Sequence, residues 1–322
     1  MANVLVSGGA GFIGSHMCQS LVEKGHTVIC VDNLLTGSKR NIEGLMDNKK
    51  FEFVELDITG EITKLRSYEI NYLYHLASPA SPVQYQKYPL ETLRVNAAGT
   101  ERMLELAKEY GAKFLFTSTS EVYGDPKEHP QRESYWGNVN SFGPRSCYDE
   151  AKRFGEALTY TFLNLHDVDA RIVRIFNTFG PNMEQDDGRV ISTFVMQAIS
   201  DKPITVHGDG TQTRSFCYVS DMVAGIISAM ESAETRGQVI NLGNPDERTV
   251  MDIAQLIKKM GQSQSDIIHS ERPVDDPARR QPDITKAKKL LGWEPKITLE
   301  DGLKFTISYF RETLNSIRQM AD

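Results

Sequence analysis

The chain has 322 residues, 40% hydrophobic and 25% charged, enough to bury a sizeable core and to form two lobes. Its net charge of -7 leaves no face-wide basic field, which argues against nucleic acid as a partner. No run reaches the roughly 18 apolar residues of a membrane span. The N-terminus enters a strand with neither a basic region nor a cleavage site, and the four cysteines show no paired spacing. The expectation is a cytoplasmic protein with no membrane contact, no disulfide and no metal.

In chain order, Val4 to Val6 reads as a strand and Phe12 to Lys24 as a helix, followed by strands at Val28 to Val31, Phe51 to Val54 and Tyr72 to Tyr74. A helix is expected from Leu90 to Tyr110, a strand from Lys113 to Thr117, a helix from Tyr148 to His166, and a strand from Arg171 to Ile175. Strands that are continuously apolar and alternate with helical patterns imply a parallel sheet covered on both faces, a doubly wound Rossmann α/β fold. The two long helices carry more apolar residues than one stripe needs, so part of each is expected to face a second copy in a homodimer. After Asn177, breaks at Gly180-Pro181, Gly208-Asp209-Gly210 and Asn244-Pro245 mark a smaller C-terminal α/β lobe. The division expected is 1–177 for a dinucleotide and 178–322 for the substrate, with a segment near 216–238 returning to the first domain and a cleft between the lobes.

Gly8-Gly9-Ala10-Gly11-Phe12-Ile13-Gly14 lies between the first strand and the first helix. Glycines there permit a tight turn and let the backbone approach a pyrophosphate, to which the helix N-terminus offers unpaired N–H groups. Asp32, ending the second strand, suits an adenosine ribose and repels a 2'-phosphate, which favours NAD over NADP.

Tyr148 and Lys152 are four apart on a predicted helix, so the spacing expects Lys152 to favour an ionised Tyr148 phenol that serves as a base. Thr119 lies just beyond a strand, at the sheet edge where ligands bind, and suits a donor to a developing oxyanion. The pattern fits hydride transfer from a secondary alcohol.

With these motifs, and with His75 to Pro82, Ser118 to Pro126, Tyr135-Trp136-Gly137, Gly143 to Glu150, Asp275-Asp276-Pro277 and Leu291 to Pro295, the chain resembles the extended short-chain dehydrogenase/reductase family that acts on nucleotide sugars, and within it the UDP-glucuronate decarboxylase branch. The resemblance implies conversion of UDP-glucuronate to UDP-xylose through a 4-keto sugar, with NAD reduced and re-oxidised in each turnover. It implies catalytic roles for Thr119, Ser120, Glu121, Tyr148, Lys152 and Arg280, with Arg279 facing water. Cofactor contacts are implied for Gly8, Gly11, Phe12, Ile13, Gly14, Asp32, Asn33, Asp57, Ile58, Leu76, Asn96, Tyr148 and Lys152. Asn177, Arg189 and Arg214 are implied at the UDP end, where an arginine fork suits phosphate. Ser120 stands where dehydratases of the family carry an aspartic acid. Two positions depart from the branch: Ala151 stands where glycine is common, and Asn182 where arginine follows Gly-Pro. The rival readings are a 4-epimerase of UDP-glucuronate or another UDP-hexose, and an NAD-binding redox sensor.

Overall fold

The computed structural model describes residues 1–321. The first half runs β1 (Asn3–Ser7), α1 (Phe12–Glu23), β2 (Thr27–Asp32), β3 (Phe51–Glu55), β4 (Tyr72–His75), α2 (Pro82–Lys87), α3 (Pro89–Arg94), α4 (Thr100–Tyr110), β5 (Lys113–Thr119), α5 (Ser146–His166) and β6 (Ala170–Ile175). The second half runs β7 (Thr178–Phe179), α6 (Val190–Ile199), β8 (Ile204–His207), β9 (Thr213–Ser215), β10 (Cys217–Tyr218), α7 (Val219–Glu231), β11 (Val239–Leu242), β12 (Glu247–Thr249), α8 (Val250–Met260), β13 (Ile267–Ser270), β14 (Arg279–Arg280), α9 (Thr285–Leu291) and α10 (Leu299–Ala321).

Seven parallel strands form the central sheet in the order β11-β6-β5-β4-β1-β2-β3. Val4, Val6, Val28 and Cys30 bury one face under α1 and α7, and Leu5, Ile29, Leu73 and Phe114 bury the other under α4 and α5. Each strand is therefore apolar on both sides. The strand order reverses between β1 and β4, so the crevice at their carboxyl ends is where such a sheet takes a ligand.

The expected helix from Leu90 to Tyr110 is interrupted by a π turn at Val95–Gly99 between α3 and α4. The turn buries Asn96, whose amide Nδ2 donates to Ser78 Oγ at 2.8 Å and to the Thr92 carbonyl at 2.9 Å. Strand β5 reaches Thr119, so that residue ends the strand and does not lie beyond it.

Phe179, Phe194, Val206, Ile253, Leu303 and Phe310 form the core of the second lobe. That lobe is not one continuous stretch from 178 onwards. Helix α7 packs against α1, and β11 pairs with β6 at the edge of the central sheet, so the return to the first domain extends past 238 to Leu242.

Candidate active site

A cavity of about 580 Å³ lies along the carboxyl edge of the sheet and extends between the lobes, from Gly8 and Asp32 to Arg214 and Asp276. At its first end the chain turns sharply from β1 into α1. Gly8 has φ +77, and a Cβ on it would lie 2.7 Å from the Ala77 backbone, while one on Gly14 would lie 2.0 Å from the Gly8 carbonyl oxygen. The first-turn N–H groups of α1 have no partners within the helix and are available to an anion. Asp32 is pinned by the amides of Ala10 at 3.0 Å and Leu34 at 2.8 Å, one on each carboxylate oxygen. Burial pushes its pKa up against the pull of those two bonds. Asn33, Asp57, Ile58 and Leu76 share the cavity wall; Asn96 does not, and reaches it through Ser78. The glycine cradle and the fixed carboxylate fit a dinucleotide.

At the centre, Tyr148 opens α5 and Lys152 follows one turn later, both buried and both on the wall. Lys152 Nζ donates to the Thr117 carbonyl at 3.0 Å and lies 4.9 Å from the centre of the Phe116 ring and 5.9 Å from that of Tyr148. Burial lowers Lys152 to about 7, opposed by Glu156. The expected depression of the Tyr148 pKa is corrected here. Burial pushes the phenol well above its usual value, and the main opposing help comes from the Thr119 hydroxyl and from Arg189. The reason is that Lys152 is itself desolvated and aimed at a backbone carbonyl, so its charge is neither full nor directed at the phenol oxygen.

Glu121 lies just after β5, and its carboxylate bonds to Arg145 at 2.5 Å and to Arg280 at 3.1 Å. Burial alone would raise the Glu121 pKa, but Arg280, Arg145 and Arg214 outweigh it and hold the carboxyl at about 2. Arg280 is fully buried and also donates to the Ser120 carbonyl, so it sits behind Glu121 and Ser120 and not on the cavity wall, whereas Arg279 is exposed. Ser120 and Glu121 do face the cavity.

At the far end, Asn177 follows β6 and lines the wall with Arg189 and Arg214. Arg189, at the N-cap of α6, pairs with Asp187 at 2.6 Å and covers the Phe12 ring at 5.7 Å, which ties this end to the glycine turn. Arg214, in β9, pairs with Asp276 at 2.8 Å. Asn182 has φ +66, a conformation that asparagine tolerates better than most side chains, and its amide donates to Ser15 Oγ at 3.0 Å. Ala151 is buried within α5.

Residues 4–243 match the family described as NAD dependent epimerase/dehydratase. The chain belongs to this family. It is 50% identical over 311 residues to UDP-glucuronic acid decarboxylase 1 of Danio rerio, covering 97% of this chain and 73% of that protein. It is also 50% identical over 313 residues to UDP-glucuronic acid decarboxylase 3 of Arabidopsis thaliana, covering 97% and 90%. Among solved structures it is similar to UDP-glucuronic acid 4-epimerase from Bacillus cereus in complex with UDP-glucuronic acid and NAD, with TM-score 0.89, 30% identity and coverage of 97% and 99%.

Three residues of this family member's site were missed from sequence. Tyr85 of α2 stacks on Tyr148 with ring centres 4.9 Å apart and planes at 4°, and its hydroxyl is buried without a partner. No local pattern announces such a pair, because the two rings are 63 positions apart. Arg145 grips Glu121, and Asp149 stands one turn further along α5. Their i, i+4 spacing was a usable signal, obscured by the stronger Tyr148 and Lys152 pattern. Among the described residues no His, Cys, Asp and Glu cluster could hold a metal, and no helix is long and apolar enough to cross a membrane.

Proposed function

We propose that the protein decarboxylates UDP-glucuronate to UDP-xylose and CO2 through a 4-keto sugar. The Gly8 to Gly14 turn and Asp32 would hold NAD, with Asn33, Asp57, Ile58 and Leu76 beside them and Asn96 acting through Ser78. Held there, NAD would supply the acceptor for the hydride of sugar carbon 4 and the donor that reduces the ketone again in the same turnover. Tyr148 accepts the proton of the 4-hydroxyl, Thr119 donates to the developing oxyanion, and Lys152, anchored to the Thr117 carbonyl, is the buried amine beside them. A ketone at carbon 4 is β to the carboxylate, so CO2 leaves with its electrons taken up by the carbonyl. Asn177, Arg189 and Arg214 orient the UDP end, and burial of Arg214 strengthens its hold on phosphate.

The observation that carries this reading is the Glu121 carboxylate fixed between Arg145 and Arg280 directly after Ser120 and Thr119. A charged group held by two arginines supports a role beside the departing carboxylate, and a serine stands where a dehydratase needs an acid. In that arrangement Arg280 acts through Glu121. Names of relatives at 50% identity support the same substrate and reaction. The test is incubation with UDP-glucuronate, following CO2 and the nucleotide sugar. CO2 with a UDP-pentose is expected; UDP-galacturonate without CO2 identifies a 4-epimerase instead.

The proposal includes residues 1–177, joined by the returning segment that ends at Leu242, as the cofactor domain and the rest of 178–322 as the substrate lobe, a homodimer, and a cytoplasmic location. Leu90 and Leu93 of α3 and Phe154, Tyr160 and Leu165 of α5 are exposed on two helices that pack together, which supports self-association through them. Sedimentation at equilibrium checks the dimer, with a monomer mass removing it.

A further inference from the structure

We propose that Asp149 is a positioning residue: as a neutral acid it leaves Arg145 to Glu121, and as a carboxylate it draws Arg145 away and misplaces Glu121. The activity side of this rests on the decarboxylase reading. Arg145 and Asp149 stand one turn apart at the start of α5, and two carboxyl groups compete for the one guanidinium. Arg145 Nη2 lies 2.5 Å from Glu121, whereas Arg145 Nε is 3.9 Å from Oδ2 of Asp149. The other Asp149 oxygen, Oδ1, is buried with no hydrogen-bond partner, and the residue is 5% exposed. A carboxylate there would be a full buried charge with a cation at the outer edge of ion-pair distance and an unsatisfied oxygen; the neutral acid avoids most of that penalty.

The groups facing Asp149 pull in both directions, and the balance favours the neutral acid. Glu121, after β5, and Glu150, next on α5, oppose its charge; Arg145 and Arg280 of β14 favour it, but less than burial disfavours it. Tyr85 of α2 and Cys147 stay neutral, each pushed up by burial. Burial first, and Glu121 second, raise the Asp149 carboxyl to about 8. Asp149 does not line the cavity, so its influence passes through Arg145.

The test measures kcat and KM against pH with UDP-glucuronate for wild type and Asp149→Asn, and titrates ¹³C-labelled aspartate carboxyls in both. The expected result is an alkaline fall in kcat that moves up by at least ~1 pH unit in Asp149→Asn, with a smaller change in KM. Wild type should also show an aspartate signal that keeps its proton at pH 7 and is missing from the variant. An unmoved alkaline limb in the folded variant, or an Asp149 signal already ionised at pH 7, overturns the proposal. The titration needs no turnover, so it is distinguishable from failure of the decarboxylase reading; if Asp149→Asn does not fold, Asp149→Glu assigns the signal instead.

Discussion

Arg280 reaches across 159 positions of sequence to place its guanidinium 3.1 Å from the Glu121 carboxylate, and among the described residues it has no other acidic partner within ion-pair distance. A fully buried arginine that loses its carboxylate keeps its charge and its desolvation penalty. Glu121→Gln should therefore cost stability as well as activity: about 3 kcal/mol, by analogy with other broken buried pairs. Thermal denaturation checks the first part, and CO2 release, expected to fall at least ~100-fold, checks the second. A variant with wild-type melting and turnover removes Glu121 from both roles.

The same carboxyl sets a pH dependence. Its native pKa of about 2 lies below the 4.5 of the unfolded chain, so between these values the unfolded state binds the proton and the native state does not. This contribution to stability is complete above pH 4.5 and is lost as pH falls toward 2. Urea titrations across that window should show a steeper loss for wild type than for Glu121→Gln. Parallel curves would contradict the assignment.

Removing the Tyr148 hydroxyl leaves the ring, its stacking on Tyr85 and the cavity wall in place. Tyr148→Phe is expected to bind NAD as wild type does while turnover drops ~1,000-fold, the scale of a positioned acid or base. Fluorescence quenching by the dinucleotide and product assay separate the two quantities, and retained turnover would take the proton transfer away from Tyr148.

A Cβ at Gly14 meets backbone, which cannot rotate aside as a flexible side chain could. Gly14→Ala should displace the β1 to α1 turn and weaken NAD binding at least ~10-fold, since the first-turn N–H groups lose their aim. Calorimetric titration measures this, and unchanged affinity would show that the turn yields without cost.

Much of the cofactor end was readable because its determinants are local. A strand, a glycine turn and a helix N-terminus are contiguous, and Asp32 follows within the next strand, so short-range sterics place all of them together. The central groups were readable in identity but not in state. Tyr148 and Lys152 share a helix face as their spacing requires, yet which charge each carries depends on burial and on the Thr117 carbonyl and Thr119 hydroxyl supplied by β5. The π turn that buries Asn96 was invisible to periodicity, because one extra residue in a turn leaves the apolar pattern nearly intact.

From the chain alone came the doubly wound class, the dinucleotide turn, and the residue types suited to oxidising a sugar hydroxyl, because periodicity and backbone sterics act over a few residues. Folding alone decided that Arg145 and Arg280 converge on Glu121, that Tyr85 lies on Tyr148, and that Asp149 has Arg145 only at 3.9 Å and one buried oxygen without a hydrogen bond. Those relations depend on desolvation and on distances between separate elements. Neither quantity exists until the sheet and the second lobe have closed around the cavity.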